Sequence, residues 1–147
     1  MEKIFIACPI SKYINKNNFT NDNFKNFIEE LYGVCEKYVP NVFLALRREE
    51  YGKNLMKDSC TELDFNEMKT TDLVVAIPED SKGVAVELGW ASCMKIKVFL
   101  ILDKKQKYTP LISGLNNVTD TEIIWYDILD NSLLSEVEKL IQKNVRS

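Results

Sequence analysis

Among the carboxylates of "DFNEMKTTDLVVAIPEDSKGVAVELGWA" (Asp64–Ala91), Asp64, Asp72, Asp80 and Glu87 fall around one apolar strand and the helix that follows it. Glu87 raises the sharpest question. The residues of "DSKGVAVELGWA" (Asp80–Ala91) follow an apolar run and read as the start of a helix. Val84, Leu88 and Ala91 then share one face, because positions i, i+4 and i+7 superpose. At about 100° per residue Glu87 projects at about 300° from Val84, inside that apolar stripe. A carboxylate in this place is partly desolvated, and it is near enough to the helix N-terminus for the dipole to favour its charge. Asp64 and Glu87 fall on two helices that flank one strand. Two carboxylates around a sugar are the usual equipment for cleaving a glycosidic bond through an oxocarbenium-like state. A glutamate that merely reaches past the helix edge to water fits the same spacing.

The rest of the inventory narrows the chemistry. The chain has no histidine, which excludes Ser-His-Asp and Cys-His catalysis and removes the commonest metal ligand. Acid, base or nucleophile must come from Asp, Glu, Cys, Tyr or Lys. Cys8, Cys35, Cys60 and Cys93 are widely spaced and form no Cys-x-x-Cys pair, so they read as reduced, mostly buried packing thiols of a cytoplasmic protein. No metal or organic cofactor is called for. A formal net charge of −3 supplies no basic excess for a nucleic-acid polymer. The opening "MEKIFIACPI" has too short an apolar run for a signal peptide, and no segment approaches the length of a membrane span.

These residues need a frame. At 147 residues and 46% hydrophobic content the chain is long enough for one domain with a substantial core, spanning 1–147. Strand-like runs rich in β-branched and aromatic residues recur at Lys3–Cys8, Val42–Leu46, Leu73–Ile77, Val98–Leu102 and Glu122–Tyr126. Most are continuously apolar, as strands covered on both faces are. Helical spacing marks Asn21–Tyr38, Ser59–Thr70, Gly83–Met94 and Leu133–Asn144. Ser59-x-x-Glu62 reads as a capping box and Ser132 as an N-cap. The alternation predicts an α/β domain: a doubly wound, flavodoxin- or Rossmann-like sheet of five parallel strands with helices on both faces. Ligands of such folds bind at the carboxyl ends of the strands. The polar loop Lys12–Asn18 reads as an ordinary surface loop.

With Asp64, the apolar strand and the Gly-x-x-x-Glu-Leu-Gly pattern opened by Gly83, the segment Asp64–Ala91 resembles the nucleoside 2-deoxyribosyltransferase family, and within it the nucleoside 5'-monophosphate N-glycosidases. "KIFIACPIS" and "YTPLISGL" extend the resemblance to about two-thirds of the chain. It implies a catalytic glutamate at Glu87, facing the anomeric carbon, and an aspartate at Asp64 that handles the base or the sugar hydroxyls. It implies Ser81 at the 5'-phosphate, in a place where transferases acting on free nucleosides tend to carry an aspartate; Asp80 lies one residue earlier. Gly83 belongs with the substrate-binding residues, and Thr109 matches a hydroxyl that reaches the phosphate held by a neighbouring subunit. A homodimer or larger assembly follows.

Two positions depart from the branch. Phe5 stands where a tyrosine often approaches the sugar, which makes room for a ribose 2'-hydroxyl; Tyr13 is the nearest substitute. Ser11 stands where the branch has an arginine, leaving Lys12, Lys82, Arg47 and Arg48 as further candidates for the phosphate. Trp90 and Phe5 are candidates for stacking on the base as well as for core packing. The implied reaction is hydrolysis of the N-glycosidic bond of a (deoxy)ribonucleoside 5'-monophosphate. Exchange of bases by a deoxyribosyltransferase, or nucleotide binding without turnover, are the alternatives.

Overall fold

The structure is a computed structural model and describes residues 1–146. Its strands are β1 (Lys3–Ala7), β2 (Ile14–Asn15), β3 (Asn18–Phe19), β4 (Asn41–Leu44), β5 (Leu73–Ala76), β6 (Lys97–Asp103) and β7 (Thr121–Tyr126). Its helices are α1 (Asp22–Glu36), α2 (Ala45–Arg48), α3 (Cys60–Lys69), α4 (Lys82–Cys93), α5 (Pro110–Ser113) and α6 (Asn131–Val145). The five apolar runs form one parallel sheet in the order β4-β1-β5-β6-β7. Alternate side chains feed two cores. Ile4, Ile6, Val75 and Ile101 pack with Phe27, Ile28 and Leu31 of α1 and with Val137 and Ile141 of α6. Phe5, Ala7, Val74, Ala76 and Leu100 pack with Met68 of α3 and with Val84, Leu88 and Ala91 of α4. Burial on both faces is why these strands read as continuous apolar runs.

The strand order reverses between β1 and β5. The chain leaves β1 for β4 on one side and returns to β5 on the other. The loops at the carboxyl ends of these two strands therefore splay apart and leave a crevice at the topological switch point.

Several boundaries differ from the sequence reading. The run Val42–Leu46 stops being a strand at Leu44, and Ala45–Arg48 turns into α2. The expected capping box at Ser59 is not formed: Ser59 has φ 66° and its side chain makes no cap hydrogen bond. In α6 the cap is Asp130, which accepts from the Leu133 N–H at 3.0 Å, and Ser132 lies inside the helix. The surface loop Lys12–Asn18 carries structure of its own. It holds a 3₁₀ turn at Ser11–Tyr13 and the antiparallel hairpin β2-β3. Lys16 and Asn17 make the tip with φ 48° and 64°, the two left-handed residues of a tight hairpin turn.

Candidate active site

A cleft of about 680 Å³ opens at the switch point, lined among others by Cys8, Ser11, Lys12, Asp64, Ser81, Gly83, Glu87 and Trp90. β1 ends into Cys8–Lys12, and β5 ends into the turn Pro78–Ser81, where the Ser81 N–H donates to the Pro78 carbonyl at 2.9 Å. Glu79 takes φ 44° in that turn. Helices α3 and α4 supply the walls. Val84, Leu88 and Ala91 are buried against the sheet, so α4 is held rigidly and Glu87, part-buried, projects into the cleft beside them.

Burial moves Glu87 furthest from its ordinary behaviour. Its pKa is raised from 4.5 to about 8: desolvation is the largest cause, the Asp64 charge adds to it, and the Arg48 charge opposes both. The expectation that the helix N-terminus would favour its ionised form is overturned. Glu87 is the sixth residue of α4, past the first turn where the dipole acts, so desolvation wins. In the resting cleft at neutral pH this side chain is a neutral acid.

Asp64 is held differently. Arg48 Nη1 donates to its Oδ1 at 2.5 Å. Burial raises the Asp64 pKa, the Arg48 hydrogen bond and charge pull it back, and Glu49 and Glu67 add to the rise. An ion pair with a guanidinium fixes Asp64 as a hydrogen-bond acceptor. The two carboxyls of the cleft are thus held differently, Asp64 against a guanidinium and Glu87 without one.

At the other end of the cleft Ser81 caps α4, its Oγ accepting from the Val84 N–H at 3.2 Å. The hydroxyl proton remains free to donate outward. The N–H groups of Lys82 and Gly83 lead the helix, and a Cβ on Gly83 would meet only Ser81 Oγ, at 3.7 Å. A helix N-terminus with a serine cap is a natural anion site. Lys12 lies on the same cleft with its Nζ 3.0 Å from Glu79 Oε2 and 3.2 Å from Asp80 Oδ1. Trp90, set edge-on to Phe65 with ring centroids 5.2 Å apart, and exposed Val86 form an apolar wall.

Of the residues singled out in the sequence, Asp64, Glu87, Ser11, Ser81 and Gly83 meet in this cleft. Phe5 and Thr109 do not line it. Phe5 is 1% exposed on the cleft's side of the sheet, its ring 4.8 Å from that of Phe43. Thr109 caps the one-turn helix α5, and it borders a smaller neighbouring cavity that shares Asp80, Ser81 and Lys82 with the cleft. Arg47 turns away to Glu29 (3.0 Å) and lies over the Tyr32 ring. Tyr13 is committed to Glu79 through its hydroxyl. The Arg48–Asp64 pair is the main feature that sequence reasoning missed. Sixteen positions and a strained loop separate the two residues, and no periodicity links them.

No family model matches the chain, and no curated protein sequence does. Solved structures do. The chain is similar to the CMP N-glycosidase BcmB of Clostridium botulinum at 28% identity over 95% of this chain and 99% of that one, with a TM-score of 0.72. It is similar to the solution structure of BlsM at 30% identity over 98% of this chain and 91% of that one, with a TM-score of 0.80. Together with the Asp64–Ala91 pattern and the switch-point cleft, these likenesses place the chain in the nucleoside 2-deoxyribosyltransferase-like family, on its nucleotide N-glycosidase branch.

Proposed function

We propose that this protein hydrolyses the N-glycosidic bond of a nucleoside 5'-monophosphate to a free base and a pentose 5-phosphate. The observation that carries the reading is the pairing, in one cleft, of the part-buried Glu87 carboxyl with the Arg48-bound Asp64 carboxylate, opposite the serine-capped N-terminus of α4. The likeness to a CMP N-glycosidase over nearly the full length of both chains makes cytidine 5'-monophosphate the first substrate to try.

The steps follow from the groups. The 5'-phosphate binds the Lys82 and Gly83 N–H groups and the Ser81 hydroxyl, with Ser11 and Lys12 beside them. Asp64 accepts hydrogen bonds from the sugar hydroxyls; as an ion-paired anion it orients the pentose and does not supply a proton. Glu87, once deprotonated, attacks C1' as the bond from C1' to the base nitrogen breaks, and the bonding electrons leave with the base. The base takes its proton from solvent. Water then attacks C1' as the bond to the Glu87 oxygen breaks; one water proton passes to solvent, which balances the proton taken up by the base, the pentose 5-phosphate leaves and the carboxylate is restored. Trp90 and Val86 flank the base.

Phe5 presents no hydroxyl towards the sugar, which favours acceptance of ribose. Thr109 lies on the far side of Ser81 from the cleft, in keeping with a role towards a phosphate held by a second copy of the chain, and hence with a homodimer. The widely spaced thiols favour a cytoplasmic setting. No helix among the described residues is long and apolar enough to cross a membrane.

The test is base release, followed by chromatography, from ribo- and deoxyribonucleoside monophosphates and the matching nucleosides, with and without an acceptor base. Release from monophosphates without an acceptor is the expected result. New nucleosides formed only with an acceptor would make the protein a transferase. Binding without turnover would make it a nucleotide-binding module.

A further inference from the structure

Arg48 reaches Asp64 from outside the ring of cleft-lining residues, and it is built in with care. Its Nη1 donates to Asp64 Oδ1 and its Nη2 to Glu49 Oε2 at 3.2 Å. The guanidinium lies 5.4 Å from the centroid of the Phe43 ring. Glu49 is 5% exposed, and its other oxygen, Oε1, accepts from the Met56 N–H at 3.0 Å. The next three residues, Glu50, Tyr51 and Gly52, take φ of 51°, 54° and 100°, and a Cβ on Gly52 would come within 3.0 Å of the Ile14 side chain. Left-handed backbone at two non-glycine residues persists only where its surroundings enforce it. Arg48 Nε meanwhile is buried with no hydrogen-bond partner. An arginine that leaves a donor unsatisfied is a poor way to stabilise a fold, since an apolar side chain of similar volume would do as well or better. Its charge has another use.

We propose that Arg48, seated by Glu49, is a positioning residue for catalysis: its guanidinium holds Asp64 as an oriented anion, and its charge is felt at Glu87 in the same cleft. The role rests on the hydrolase reading above. The groups that act on Glu87 are Asp64 from α3 and Arg48 from α2, and the Glu87 charge in turn helps burial keep the Cys8 thiol after β1 protonated. Glu49 and Glu67 act on Asp64. Lys12, Asp80 and Lys82 line the same cleft, with Lys12 and Asp80 paired to each other. Without Arg48 two carboxyls share a partly desolvated cleft with their compensating cation gone, and the loss of the second proton is deferred to higher pH.

The experiment compares the protein with Arg48→Gln and Arg48→Lys. One readout is kcat/KM for CMP between about pH 6.5 and 9.5, above the second ionisation of the substrate phosphate near pH 6. The other needs no turnover: the stability of each protein against its own Glu87→Gln derivative, as a function of pH. In the parent both the rising limb of kcat/KM and the end of the stability window fall near pH 8. Arg48→Gln is expected to move both to higher pH, and Arg48→Lys to restore most of that shift with a lower kcat. An Arg48→Gln protein that is slower but titrates where the parent does overturns the proposal, because a structural role alone would do that. If Arg48→Gln does not fold, Arg48→Lys decides. An unmoved limb with kcat reduced about tenfold or more, through misplacement of Asp64, supports the proposal; a parental kcat overturns it. If CMP and the other monophosphates are not hydrolysed, the hydrolase reading fails by itself, and the stability window still decides whether Arg48 governs Glu87.

Discussion

The hydroxyl of Tyr13 donates to the carboxylate of Glu79, 2.5 Å from Oε1 and 2.7 Å from Oε2. That contact ties the loop after β1 to the turn after β5, the two segments that border the cleft. Glu79 is 9% exposed and has Lys12 as its other partner. Burial, then the Glu79 hydrogen bond and charge, push the Tyr13 phenol well above its usual range, so it stays a donor at any working pH. Tyr13→Phe removes one of the donors to a buried carboxylate, at a cost of about 1–3 kcal/mol in denaturant unfolding. In the proposed complex these loops position the phosphate, so KM for a monophosphate should rise several-fold while kcat changes little. A fall in kcat with KM unchanged would instead give the phenol a part in the chemistry.

Ser81 offers a substitution pair that separates folding from recognition. Its Oγ caps α4 by accepting from the Val84 N–H. Ser81→Ala removes both the cap and the proposed phosphate donor, and should cost about 1 kcal/mol of stability as well as raising KM. Ser81→Asp keeps the cap, since aspartate is as good an N-cap as serine, and places a negative charge against the phosphate. Unfolding should be little changed or slightly later. KM for CMP should rise about tenfold or more, while any activity on cytidine is spared. Equal losses on nucleotide and nucleoside would remove Ser81 from the phosphate site.

The contrast between these residues shows which parts of the site a sequence can carry. Glu87, Ser81 and Gly83 belong to one helix with strong periodicity, and the burial of Val84, Leu88 and Ala91 is what that periodicity expresses. The five strands were legible for the same reason: burial on both faces leaves unbroken apolar runs. Arg48 was not legible. Its partner Asp64 is on another element, and the geometry that joins them depends on three left-handed residues at Glu50–Gly52, of which only the glycine announces itself. The sign of the Glu87 shift was missed because a sequence places a residue near a helix start but does not weigh desolvation against dipole. The hairpin tip at Lys16–Asn17 carried an asparagine suited to left-handed backbone, a signal that the polarity of its neighbours obscured.

Gly83 is open ground in the fold and confined ground in the proposed complex. A Cβ there would meet only Ser81 Oγ, at 3.7 Å, and alanine is the better helix former by about 1 kcal/mol. Gly83→Ala should therefore unfold at the same denaturant concentration as the parent or a higher one. The methyl group stands over the N–H groups that would receive the phosphate, so KM for CMP should rise with kcat nearly unchanged. Parental KM in a stable Gly83→Ala protein would show that the phosphate binds away from the start of α4.

Glu87 should be costly to the fold and necessary to the reaction, and one substitution tests both. In the unfolded chain its pKa is the ordinary 4.5; in the folded protein it is about 8, raised first by burial and then by the Asp64 charge. The folded state therefore holds the proton more tightly. The stability associated with that proton is fully present below about pH 4.5, declines as the pH rises, and is gone once the pH passes about 8. A glutamine is neutral throughout. Glu87→Gln should match the parent in stability at pH 4, gain on it steadily through neutrality, and hold a constant advantage above pH 8, on the order of a few kcal/mol. Turnover of CMP should fall by about a thousandfold or more, since no carboxylate remains to meet C1', while binding of CMP is retained. In the parent, log kcat/KM should climb with pH and level off near 8, because the nucleophile must first lose its proton. A profile that falls over the same range would make Glu87 a proton donor to the leaving base. A stability difference independent of pH would mean that Glu87 is solvated in the resting cleft.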